Sequence, residues 1–202
     1  NRTEEADTHY RAALVIARSL RSGSDQVQWT LDRLLDMHRK AKKWQRAEAI
    51  LAEHRQFQTQ HSGVNFGGPW SVSVYELPAD AKVDALFNAG ECCQYGTHCI
   101  FDAAAVDFRW LGCPPRPEMP ASRFALVAES ELTLAAGQYK VHLDCRAGAR
   151  VLIDDRVVLD QSDDSVKTPG HSILSTAGTA SKCRVEFAHG DGPARLRLWF
   201  IP

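Results

Sequence analysis

Two carboxylate pairs, Asp154-Asp155 and Asp163-Asp164, and one group of soft ligands, Cys92, Cys93, His98 and Cys99, are the residues whose types could do chemistry. Paired carboxylates can hold a hard divalent cation, and thiolates with an imidazole can hold zinc. Asp154-Asp155 precedes Arg156 and lies between the apolar runs Val151 to Ile153 and Val157 to Leu159. That pattern is a tight hairpin, where Asp is favoured because its side chain bonds nearby backbone and tolerates the turn conformation. Asp163-Asp164 falls in a loop between predicted strands, where a solvated polar loop competes with a displaced cation site. Cys92 and Cys93 are adjacent and cannot easily point at one ion, so the cysteine spacing is a poor zinc knuckle. A disulfide-braced or buried insertion loop is the expected alternative. His98 and Cys99, as strand neighbours, would face opposite ways, which argues against a base and its nucleophile.

No phosphate-binding glycine loop, no Gly-x-Ser-x-Gly elbow and no His-Glu-x-x-His occurs. Gly190-Asp191-Gly192 lacks the helix that a nucleotide motif requires. The expectation is therefore a non-enzyme with no cofactor and no metal.

With 202 residues and 44% hydrophobic composition the chain can bury an ordinary core plus an appendage. The formal net charge of −1 gives no general reason to expect nucleic acid or an anionic membrane as partner. The basic group Arg39, Lys40, Lys42, Lys43 and Arg46 lacks interleaved aromatics and reads as a solvated helix end. The apolar run Ala12 to Ala17, bracketed by Arg11 and Arg18, is far short of the roughly 20 residues a spanning helix needs, so no membrane insertion is expected. The start Asn1-Arg2-Thr3-Glu4-Glu5, with no Met, suggests a piece of a larger protein. An even count of 6 cysteines is compatible with bridges in an oxidising compartment, with buried thiols as the alternative. The compartment is otherwise unspecified, with an extracytoplasmic location slightly favoured.

The elements that must position these residues change character along the chain. Tyr10, Leu14, Ala17 and Leu20 recur at helical steps, and so do Val27, Leu31, Leu34, Leu35 and His38. After Ala41-Lys42-Lys43, a third stripe runs through Trp44, Ala47, Ile50, Leu51 and His54. Ser62-Gly63 and Gly67-Gly68-Pro69 close the helical part. Everything beyond reads as strands, with Tyr139, Val141, Leu143 and Cys145 on one face at period two. The fold class expected is α+β by segregation: antiparallel helices over 1–62, then an all-β antiparallel sandwich over 63–202. Tyr139, Leu143, Val151, Ile153, Leu196 and Leu198 are its predicted core.

The stretch from Leu31 to Phe57 resembles one tetratricopeptide-type helical hairpin, with Leu35 where that family has a small residue. A plain antiparallel pair is the alternative, because one copy of such a repeat cannot bury a continuous core. The β part carries a broader likeness. Val106-Asp107-Phe108-Arg109-Trp110, Arg123-Phe124, Ala136 to Val141, Gly148 to Asp154 with Val157 to Asp160, and Val185-Glu186-Phe187 with Ala194 to Trp199 follow one another in order. Together they resemble the lectin-like β-sandwich first described in anthrax protective antigen and found in yeast flocculins and bacterial glycosidase inserts.

That resemblance implies a carbohydrate-recognition fold. Its sugar-binding members hold calcium through two consecutive aspartates in the loop before the Gly-Ala-Arg-like strand. Here that place is Cys145-Arg146-Ala147-Gly148, and an Arg and an Ala cannot replace two carboxylates. Ala128 stands where many relatives have Trp, so packing is expected to differ locally. The expected function is a non-catalytic binding module of a larger bacterial multidomain protein, without the calcium site. A protein-interaction or spacer domain of a signalling protein is the alternative. Candidate ligand contacts are Arg146, Asp163 and Asp164, and the expected partner is a glycan or a protein.

Overall fold

A computed structural model describes residues 2–19, 30, 33–34, 37–38, 40–62, 64–66, 68–81, 95–110, 114, 116, 118–162 and 170–202. The chain divides into two compact units, Asn1–Phe57 and Gln58–Pro202.

The first unit is helical. Helix α1 (Arg2–Ser19) and α2 (Trp44–Ser62) up to Phe57 are its long elements, the end of α2 falling in the second unit, and Thr30, Leu34, Met37 and His38 are also helical. Leu14, Leu34, Ala47 and Ile50 are buried, as their 3.6-residue periodicity dictates. Lys42 takes a left-handed φ of 54°, which breaks the helix, and the Lys43 carbonyl then accepts the first amides of α2. Lys40, Lys42 and Arg46 are exposed there, consistent with a solvated helix end. Asp7 Oδ1 lies 2.8 Å from the Nε2 of fully buried His38 and also pairs with Arg11. Helical periodicity does not single out Asp7, because an ion pair between segments 31 positions apart leaves no local pattern.

The second unit is a sandwich of two antiparallel sheets. In chain order its strands are β1 (Val64–Phe66), β2 (Trp70–Glu76), β3 (Thr97–Ala103), β4 (Asp107–Trp110), β5 (Phe124–Leu134) and β6 (Gly137–Arg146). There follow β7 (Gly148–Ile153), β8 (Arg156–Gln161), β9 (Gly170–Thr176), β10 (Ala180–His189) and β11 (Ala194–Ile201). The larger sheet has the order β3-β2-β5-β10-β7-β8, with β1 also pairing β5, and the smaller has the order β4-β11-β6-β9. The inward faces meet in one core of aromatic and aliphatic residues. Trp110 stacks on Phe187 with ring centroids 5.7 Å apart, and Phe124 packs beside both. All the predicted core residues, Tyr139, Leu143, Val151, Ile153, Leu196 and Leu198, are buried in it. Ala128 is fully buried as well.

The Asp154-Asp155 hairpin forms as its sequence requires, with φ of 49° and 62°. Asp154 Oδ1 accepts a hydrogen bond from the Lys182 amide at 2.9 Å, and the Asp154 amide donates to the Lys182 carbonyl. The pair is therefore turn chemistry. Between β6 and β7 a single residue, Ala147, carries the chain from one sheet to the other at φ 113°, a conformation that a Cβ disfavours.

Candidate functional site

The site implied by the family resemblance is the β6–β7 corner, and its chemistry follows from register. On the outward face of the smaller sheet, Arg195 stands opposite both Arg109 and Arg146. In the next row Arg197 stands opposite both Asp107 and Asp144. Arg195 Nη2 reaches Asp144 at 2.6 Å, and Asp107 lies between Arg109 Nε at 3.5 Å and Arg197 Nε at 4.0 Å. The two acids thus spend their charge on guanidinium groups.

One row further, Trp199 and His142 stack at 4.8 Å with planes 6° apart, and His171 continues the row. The Arg197 guanidinium lies 4.9 Å from the Trp199 ring centre, a cation–π contact. Exposed Arg146 ends β6 at the corner. Asp163 and Asp164 lie outside the described residues.

Calcium does not fit the described corner. It needs six to eight oxygen ligands with anionic ones among them. The corner offers Arg146, Ala147 and an Asp144 already held by Arg195. Among the described residues no group of three or more His, Cys, Asp or Glu is placed to hold a metal.

Of the cysteine-histidine group, His98 and Cys99 are described. Cys99 packs against the core from β3, and burial pushes its thiol above the ordinary range, with Glu118 adding to the rise and Arg116 opposing it. His98 points to Glu76, 3.5 Å away, and not to Cys99, as strand alternation requires. Cys183 is fully buried and its thiol is raised further by desolvation and by Asp154. Cys99 and Cys183 are thiols, and the Cys145 thiol donates to Gln161 Oε1. Cys92, Cys93 and Cys113 lie outside the described residues.

The structure also contains a cleft of about 440 Å³ that sequence reasoning does not find. It opens between the edge strands β8 and β9, one from each sheet. Leu134, Ile153, Val158 and Leu174 form its apolar lining, and Thr176, Thr179 and Ser181 bring hydroxyls. Asp154 and Arg156 stand at the hairpin that borders it. At the other end of β9, Gly170 lies against β8 so closely that a Cβ there would come within 2.7 Å of Gln161 Cδ.

The sequence matches no protein-family model and no curated protein. The fold, however, has solved counterparts. An anti-sigma factor domain-containing protein from Clostridium clariflavum aligns with a TM-score of 0.52 and 14% identity over 67% of this chain and 42% of its own. The A domain of epithelial adhesin 9 from Candida glabrata, solved in complex with Galb1-3GlcNAc, aligns with a TM-score of 0.51 and 11% identity over 69% of this chain and 83% of its own. The PA14 sugar-binding domain of an RTX adhesin aligns with a TM-score of 0.50 and 16% identity over 65% of this chain and 89% of its own. The chain therefore spans less than half the length of the anti-sigma factor domain-containing protein. At these identities the likeness establishes the fold alone: the two-sheet antiparallel β-sandwich that these domains share.

Proposed function

We propose that this chain is a non-catalytic carbohydrate-recognition module of a larger bacterial multidomain protein, acting without an Asp-Asp calcium site. The observation that carries the reading is a sandwich with the fold of sugar-binding adhesin domains, whose corner carboxylate, Asp144, is held by Arg195. Glycan contacts at the β6–β7 end would come from Arg146 and the Asp163-Asp164 segment; the cleft beyond β7 is the other place.

The test is an array of neutral and acidic oligosaccharides probed with the 202-residue chain. Binding to a defined subset is the expected result. Silence across the array, with the protein shown to be folded, would end the glycan reading.

A second reading has its own observation. The anti-sigma factor domain-containing protein shares the sandwich, and here a helical unit precedes it. A protein-interaction or spacer domain of a signalling protein accounts for both.

A further inference from the structure

We propose that the cleft between β8 and β9 is the saccharide site of this chain, and that it takes a neutral sugar unit. The inference rests on the glycan reading above and adds the place and the class of ligand.

The cleft has the size of a small-molecule site, which typically measures roughly 300–1,000 Å³. Its volume is about 440 Å³. Leu134, Ile153, Val158 and Leu174 give it an apolar lining suited to the C–H face of a pyranose ring. Thr176, Thr179 and Ser181 supply hydroxyls, which both donate and accept and so complement a polyol. Thr176 Oγ1 already accepts from the Gly178 amide, which leaves its own proton to donate. Among the described residues, the Thr179 and Ser181 side chains make no protein hydrogen bond.

Charge decides the ligand class. Asp154 and Arg156 lie two positions apart at the hairpin and carry opposite signs. A carboxylated or sulfated sugar would lose to Asp154 what it gains from Arg156, and an amino sugar the reverse, so the rim favours neither sign of charge. A neutral ligand meets neither penalty and can hydrogen-bond both. The Asp154 carboxylate is fixed in place through Lys182 N, and the Arg156 guanidinium forms no ion pair among the described residues. Position separates this site from the corner: β7 starts beside Ala147 and runs to Ile153, which lines the cleft. Nothing in the cleft needs calcium.

The experiment uses the whole chain and three variants on an array of neutral, sialylated and sulfated oligosaccharides. Thr179→Trp fills the cleft from an exposed turn, Arg156→Ala removes a donor at its rim, and Arg146→Ala alters the corner instead. Circular dichroism and thermal melting establish that each variant is folded. The expected result is binding to neutral glycans that falls at least about tenfold in Thr179→Trp and in Arg156→Ala but persists in Arg146→Ala. Unchanged binding in both cleft variants overturns the proposed place while leaving the glycan reading intact, and a loss confined to Arg146→Ala moves the site to the corner. Binding confined to sialylated or sulfated glycans overturns the ligand class. No binding by the wild-type chain overturns the glycan reading and this inference with it.

Discussion

Arg195 Nη2 sits 2.6 Å from both carboxylate oxygens of Asp144. The two residues are 51 positions apart and meet because β11 pairs β6 in a fixed antiparallel register. Arg197 stands directly across from the same aspartate. The carboxylate nearest the calcium position that the resemblance implies is therefore set among cations, and a divalent ion would have to displace a guanidinium while being repelled by Arg146. Calorimetric titration with calcium is expected to be flat, and the thermal midpoint is expected not to move with chelator, since an ion bound only by the native state would raise it. A micromolar site abolished in Asp144→Ala would contradict this.

Leu196 and Leu198 project from β11 into the middle of the sandwich, with Leu196 fully buried. Leu196→Ala should cost about 2–5 kcal/mol, because a packed core relaxes only partly around a cavity. Urea unfolding measures it. A loss below about 1 kcal/mol would mean that the two inner faces do not close on this residue.

Ala147 holds φ at 113° in the single-residue corner between the sheets. Glycine reaches that region without a Cβ penalty. Ala147→Gly is expected to leave stability unchanged or raise it, by up to about 1 kcal/mol, despite the greater entropy of the unfolded glycine chain. A loss larger than about 1 kcal/mol in the same unfolding assay would show that this corner is unstrained.

In the helical unit, burial works to raise the Asp7 pKa, but hydrogen bonds from His38 and Arg11, with their charges, outweigh it and hold the carboxyl below its usual value of 3.8. A carboxyl whose folded pKa is lowered stabilises the fold above its unfolded pKa and loses that contribution as pH falls through the folded one. The helical far-ultraviolet signal should therefore become easier to melt in acid below that usual value. Asp7→Asn should flatten this part of the acid dependence. An acid profile identical in the variant and the parent would remove Asp7 from the account.

The long alternating strands were legible because burial on one face leaves a period of two, as at Tyr139, Val141 and Leu143. The Asp154-Asp155 hairpin was legible because turn conformation selects residue type. Strand β9 was not: Ile173 points outward at 60% exposure and the strand's position is set by pairing with β6, not by its own pattern. Strand β1 has 3 residues, too few to show any period. Arg146 could be nominated from a loop resemblance, whereas the Asp107, Arg197 and Asp144 row joins strands far apart in sequence and appears only with the register. The cleft was invisible for the same reason, since Leu134, Arg156, Leu174 and Thr179 converge from separate elements and none is unusual where it stands.

The central claim is sugar recognition that owes nothing to calcium, and one comparison tests it directly. The neutral oligosaccharide bound most strongly on the array is titrated into the protein by calorimetry, once with calcium present and once with a chelator. The account predicts dissociation constants that agree within about twofold, a difference well under 1 kcal/mol. Binding that requires calcium and vanishes with the chelator would contradict it and restore a metal-dependent site.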